Sequence, residues 1–322
     1  MTSSKPKINP AIVKKPRAVQ SKGIGLTGVA PSPVGVLTRD SRPHGDLLKK
    51  KSSKGRVLLP ALADYLKFEK IANKINVIDA AGVNALVEAF NDYRLKTIYL
   101  FEDGENVPQS NLRSTMMEEF LGWLFKDIFI LLNKPAPENF QIGKSKHGYL
   151  KLTFAPHSFG KMFDDPNPCI SVKNQDFTLG AKFQLQVGST SSSSKKFDSQ
   201  IILPVVAIEC KTYLAKNHLD MCSSTAADIK RAAPYCMYII VCEFIKLVKT
   251  AAPELTDISE IYVLCKAENG DRKKRRALGH GPHLVDGSAV MDLFERVMGH
   301  LRSVWWDPAN ALQVGKVISR PF

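Results

Sequence analysis

The run Ile201-Ile202-Leu203-Pro204-Val205-Val206-Ala207-Ile208 is apolar throughout and ends in Glu209-Cys210-Lys211-Thr212. Eight apolar residues followed by charge describe a strand covered on both faces, whose end emerges where polar groups gather. Side chains alternate along a strand, so Glu209 and Lys211 point one way and Cys210 points into the opposite layer. One face of the sheet therefore carries a carboxylate beside an ammonium. The spacing alone says little, because Asp228-Ile229-Lys230 repeats it inside a stretch with helical periodicity.

A divalent cation needs more than one protein carboxylate, and Asp176 and Asp198 both precede Glu209. Asp198 lies just before the strand that Glu209 closes, and ten extended residues at roughly 3.3 Å each put about 30 Å between them. They cannot share an ion. Asp176 opens another expected strand, Asp176 to Val187, and the serine-rich stretch Gly188 to Gln200 reads as a hairpin connection. In an antiparallel hairpin of matched strands the start of the first lies beside the end of the second. Asp176 then meets Glu209 and Lys211 across the ladder. Asp164 and Asp165, in a proline-containing loop, are the alternatives.

Around this hairpin the periodicity predicts helices over Leu58 to Ile75 and Asp79 to Arg94. A third begins at a Ser114 or Thr115 cap and runs through Phe120, Leu124 and Ile128 to Leu132, stopped by Pro135. Strands are expected at Tyr149 to Phe154, Asp176 to Val187, Ile201 to Lys211, Tyr235 to Phe244 and Ile258 to Cys265. Helices are expected over Leu214 to Ala233 and from Val290 to Val304. The order helix, three strands, helix, two strands indicates an α/β fold, a mixed central sheet flanked by helices and joined by a right-handed crossover. The expected organisation is a disordered basic tail over 1–56, a helical portion over 57–110 for recognition or dimerisation, and a sheet domain over 111–322.

The chain has 45 Lys and Arg against 31 Asp and Glu, a formal charge of +14, which favours a polyanionic partner, nucleic acid first. Residues 1–56 hold thirteen of those cations against Asp40 and Asp46 and read as a solvated tail or a DNA-binding arm. No apolar leader and no membrane-length run occurs, so a cytoplasmic protein is expected. The six cysteines form no CxxC pair and read as reduced thiols, and His280 and His283 read as loop residues rather than zinc ligands.

In this setting the chain resembles the PD-(D/E)xK nuclease superfamily, and more closely the type II restriction endonucleases related to BbvCI. The likeness rests on Ser114-Thr115-Met116-Met117-Glu118-Glu119-Phe120, Gln175-Asp176-Phe177, Glu209-Cys210-Lys211-Thr212-Tyr213 and Val241-Cys242-Glu243-Phe244, and covers roughly 111–301. Two departures stand out: Gln175 takes the place of proline before Asp176, and Pro204 interrupts a central strand, where it removes a ladder hydrogen bond. The resemblance implies a restriction-endonuclease-like fold and hydrolysis of double-stranded DNA to a 3′-hydroxyl and a 5′-phosphate. Mg²⁺ would be held by Asp176, Glu209 and the Cys210 carbonyl, while Lys211 orients the attacking water. Glu118 or Glu119, with Glu119 preferred, adds an outer carboxylate or serves only the helix dipole. Glu243 is a further acid, or merely a solvent-facing strand end.

Cutting both strands calls for a second nuclease subunit, in a heterodimer or a homodimer. Lys216, Asn217 and His218, just past the strand, are candidate DNA contacts. The run Arg272-Lys273-Lys274-Arg275 would grip phosphates or form a solvated loop. The remaining alternatives are a repair or transposition endonuclease of the same fold, and a nucleic-acid-binding protein whose strand-end ion pair is structural only.

Overall fold

The computed structural model describes residues 39–53, 55–102, 111–188, 196–303 and 307–318. The basic tail up to residue 38, most of the polar linker before residue 111 and the serine run 189–195 lie outside the described residues. Five strands, β1 (Phe140–Phe154), β2 (Pro168–Val187), β3 (Phe197–Leu214), β4 (Met237–Ile245) and β5 (Glu260–Glu268), form one sheet in that spatial order. The first three are antiparallel neighbours and β3, β4 and β5 run parallel. The expected mixed sheet with flanking helices is present.

β3 behaves as its composition demands. Val206, Ile208 and Cys210 face one apolar core, and Ala207 faces another on the opposite side of the sheet. The larger core is closed by α2 (Leu59–Ala72), α3 (Ala80–Glu102), α4 (Leu112–Leu124) and α8 (Gly287–Leu301). On the other side α6 (Lys216–Ala232) lays Leu219, Cys222, Ala226 and Ile229 against the sheet, the three- and four-residue spacing of one helical stripe. Five of the six cysteines are buried and all are free, so burial sets their surroundings and pushes the Cys236 thiol up to about 12.

Pro204 is accommodated by a β-bulge. Leu179 pairs with Val206 but Gly180 pairs with Pro204, so Val205 is the extra residue, and proline sits where the ladder is already broken. A Cβ on Gly180 would fall 2.4 Å from the Leu203 carbonyl oxygen, which explains the glycine opposite the bulge. Past it the register is regular through to Phe177 opposite Ile208.

Several boundaries differ from expectation. α1 (Pro43–Ser52) is a packed helix inside the stretch read as tail, with His44 and Leu48 fully enclosed. It shares its core with the sheet helices, so neither residue 56 nor residue 110 marks the edge of a separate core. α4 begins at Leu112 after Asn111, and the Ser114 and Thr115 hydroxyls bond back to the Asn111 carbonyl instead of capping. Glu118 and Glu119 therefore stand in its second turn, beyond the reach of the helix dipole. The helix also breaks at Phe125 before the short α5 (Ile128–Leu131). β1 and β2 start at Phe140 and Pro168, well before Tyr149 and Asp176, as a long hairpin whose outer half is mostly half-exposed and shows no clean alternation. The basic run after β5 is a helix, α7 (Asn269–Ala277), and not a loop.

Candidate active site

The register that pairs Phe177 with Ile208 sets Asp176 one step further on, opposite Glu209. Lys211 Nζ lies 2.6 Å from Glu209 Oε1 and 3.9 Å from Asp176 Oδ2, so both carboxylates face one ammonium. The Cys210 backbone N–H donates to Asp176 Oδ2 at 3.0 Å and ties the carboxylate to β3. The Cys210 side chain points away into the larger core. The structure thus brings together Asp176, Glu209, Cys210 and Lys211. Asp198 pairs with Gln186 at the far end of the same strand. Asp164 and Asp165 lie exposed in the β1–β2 turn and take no part in the cluster.

A third acid joins from α4, and it is Glu118 rather than Glu119. Glu118 is buried and bound at 2.9 Å by Lys144 of β1, and burial with the nearby charge of Asp176 pushes its carboxyl up to about 7. Glu119 turns away from the cluster. Its carboxylate accepts the Gly45 N–H at 2.8 Å, the Tyr65 hydroxyl at 2.7 Å and the Trp123 indole N–H at 3.3 Å. Lys144 went unnoticed in the sequence because β1 was expected to begin at Tyr149. The alternation of Phe140 and Ile142 with polar residues was the available signal.

The electrostatics are those of crowded acids offset by two lysines. Burial, then the Asp176 charge, holds Glu209 above the usual carboxylate range despite the Lys211 hydrogen bond. Burial opposes the Lys211 ammonium, but Glu209 and Asp176 outweigh it and keep its pKa above that of a free lysine. Among the described residues no trio of His, Cys, Asp or Glu is placed to hold an ion unaided. Two carboxylates that repel one another across a ladder fit a hard cation that keeps much of its water, as Mg²⁺ does.

Asp176 and Lys211 line a cavity of about 410 Å³ whose wall also includes Glu118, Lys144, Cys210 and His218, with Glu209 reaching it through Lys211. Lys216 and Asn217 are exposed at the start of α6, while His218 is held by the Tyr213 carbonyl at 3.0 Å. A second cavity of about 750 Å³ adjoins the first along Thr212 and Tyr213, and Arg272 and Lys273 line it. Lys274 pairs instead with Asp271 at 3.8 Å, and Arg275 donates to the Gly281 carbonyl at 2.5 Å. Glu243 is neither solvent-facing nor part of the acidic cluster: it is buried between Arg94 and Arg113.

No curated protein sequence matches the chain. Its fold is similar to the solved structure of native BbvCI, an A2B2 tetramer, with a TM-score of 0.61 at 19% identity over 84% of this chain and 99% of that one. The Bpu10I restriction endonuclease family model matches residues 109–281, which hold Glu118, Lys144, Asp176, Glu209 and Lys211 and make up more than half of the sequence. The chain belongs to the Bpu10I restriction endonuclease family.

Proposed function

We propose that the chain hydrolyses phosphodiester bonds at a specific site in double-stranded DNA with Mg²⁺, leaving 5′-phosphates. The observation that carries this reading is the pair of carboxylates, Asp176 and Glu209, facing the Lys211 ammonium at the edge of a cavity that Asp176 and Lys211 line. Asp176 and Glu209 would hold the ion, with the Cys210 carbonyl as a third oxygen. The bound ion supplies Lewis-acid polarisation of the phosphate and a lowered pKa for a coordinated water.

The chain's own groups do the positioning. Lys211, kept protonated by its two acidic neighbours, donates to the attacking water and offsets the charge that builds on the phosphate. Glu118, held by Lys144, is a reservoir for a proton near neutral pH at the cavity wall. His218 lines the catalytic cavity, Lys216 and Asn217 are exposed just before it on α6, and Arg272 and Lys273 line the adjoining cavity, where the cations would hold the DNA backbone. Lys274 and Arg275, engaged elsewhere on α7, contribute charge only.

One such cluster per chain cuts one strand, so double-strand cleavage needs a second subunit; the similar BbvCI structure is itself a four-chain assembly. A cytoplasmic enzyme acting on intact duplex is the consistent setting. Among the described residues no helix is long and apolar enough to cross a membrane.

Incubating the purified protein with a sequenced plasmid, in Mg²⁺ or in EDTA, tests the reading. Discrete fragments with 5′-phosphate ends in Mg²⁺ alone are expected. Bound but uncut plasmid under all conditions, with or without added partner subunit, would overturn it.

A further inference from the structure

The larger cavity beside the catalytic cluster is unusual in its charge. Arg113 Nη1 is in direct contact with Glu102, Arg276 Nη1 lies 3.4 Å from the same carboxylate, and Arg272 Nη1 lies 3.9 Å away. Lys273 lines the same wall. Three guanidiniums thus converge on one acid, and an ammonium lines the same cavity. Arg113 is also engaged by Glu243, but that carboxylate already serves the buried Arg94. The surplus of positive charge is real and faces the cavity.

The arginines are held independently of Glu102. Arg272 and Arg113 both lie over the Phe244 ring, at 5.6 and 5.9 Å from its centroid, and Arg276 lies over Tyr99 at 5.3 Å. Glu102 is the less secure member, since it is the last residue of α3 and the carbonyl end of a helix disfavours a carboxylate. Planar guanidinium forks match phosphate oxygens as well as carboxylate oxygens. The cradle continues into the catalytic cavity through Thr212 and Tyr213.

We propose that Glu102 stands in for a DNA phosphate, and that a backbone phosphodiester one or more nucleotides from the cleaved bond displaces it into the Arg113–Arg272–Arg276 cradle. This rests on the nuclease reading above. Glu102 then acts as a built-in competitor that weakens binding to any duplex, so that only a site making further contacts holds the enzyme. Each phosphate seated on the cradle releases condensed counterions, and affinity there depends on salt.

The test is the affinity for a short labelled duplex in EDTA, over a salt series, for wild-type protein, Glu102→Gln and Arg276→Ala. Glu102→Gln is expected to bind roughly three- to tenfold tighter, and Arg276→Ala to bind more weakly with a salt slope shallower by about 0.9. Arg276 is nearly half exposed, at 43%, so its truncation leaves the fold intact even if Glu102→Gln does not fold. Unchanged affinity and slope for Arg276→Ala, or a folded Glu102→Gln that binds no tighter, would overturn the proposal. Wild-type protein that binds duplex in EDTA but leaves plasmid uncut in Mg²⁺, with or without added partner subunit, removes the nuclease reading and leaves the cradle standing, whereas no duplex binding under either condition removes both.

Discussion

Glu118 and Glu119 are neighbours on one helix and both are almost fully buried, with 4% and 2% of their surface exposed. Their surroundings differ in kind. Glu119 looks toward α1 and α2, where three donors from Gly45, Tyr65 and Trp123 occupy its oxygens. Glu118 looks toward the sheet, has Lys144 as its one bonded partner among the described residues, and feels Asp176 and Glu209 as like charges. A buried acid saturated with donors holds helices together. One placed among other acids stores unfavourable electrostatics, the condition that a metal or a transferring proton relieves.

The contrast extends beyond the two glutamates. Around Glu119 stand His44 and Tyr93, bonded at 2.6 Å, and burial pushes the His44 imidazole down to about 3, so that it stays neutral. That cluster rigidifies α1 against α2, α3 and α4. Asp176 and Lys211, with Glu209 bound to the latter, instead line a cavity. Stability is expected to reside in the first and chemistry in the second.

The comparison breaks most visibly at Asp176. Replacing it with Asn should lower cleavage by roughly a thousandfold or more while the melting temperature holds or rises, because a repelling carboxylate is removed. Plasmid cleavage and calorimetry on the same preparation check this, and a large loss of stability with retained cutting would place the chemistry elsewhere. Glu119→Ala should do the reverse. It orphans three buried donors and should cost about 3–5 kcal/mol of stability in urea unfolding, with turnover per folded molecule little changed.

Glu118 sharpens the contrast through pH. Its folded pKa, about 7, lies above that of a free glutamate, so the folded state binds the extra proton. The stability this contributes is complete below about 4.5 and is lost as pH rises through about 7. In Mg²⁺-free buffer Glu118→Gln should therefore stabilise the protein by about 1–2 kcal/mol above pH 7 and hardly at all near pH 4.5. The same variant should slow cleavage by about tenfold. A stability difference independent of pH would show that Glu118 does not titrate in the folded protein.

The legible part of the molecule was the part set by local pattern. The apolar run of β3 and the hairpin argument placed Asp176 opposite Glu209 because strand register follows from alternation and matched length, and the bulge at Val205 absorbed Pro204 with a one-residue shift that leaves the pairing beyond it regular. The choice between the two glutamates was not legible. Adjacent residues on a helix differ by about 100° in direction, and only the packing of α1 and α2 decides which of them meets Tyr65 and which meets Lys144. α1 itself was hidden by composition, since Pro43-His44-Gly45-Asp46-Leu47-Leu48-Lys49-Lys50-Lys51-Ser52 carries two large aliphatic residues among charges. Glu243 was misread for a third reason: Arg94 and Arg113, its partners, lie 149 and 130 residues away in the chain.

The central claim is that Asp176 and Glu209 hold one divalent ion between β2 and β3. Diffraction from crystals soaked in Mn²⁺, collected at the manganese absorption edge, tests it most directly. The account predicts an anomalous peak within coordination distance of both carboxylates, lost in Asp176→Asn. A peak elsewhere in the chain, or full occupancy in the variant, would contradict it.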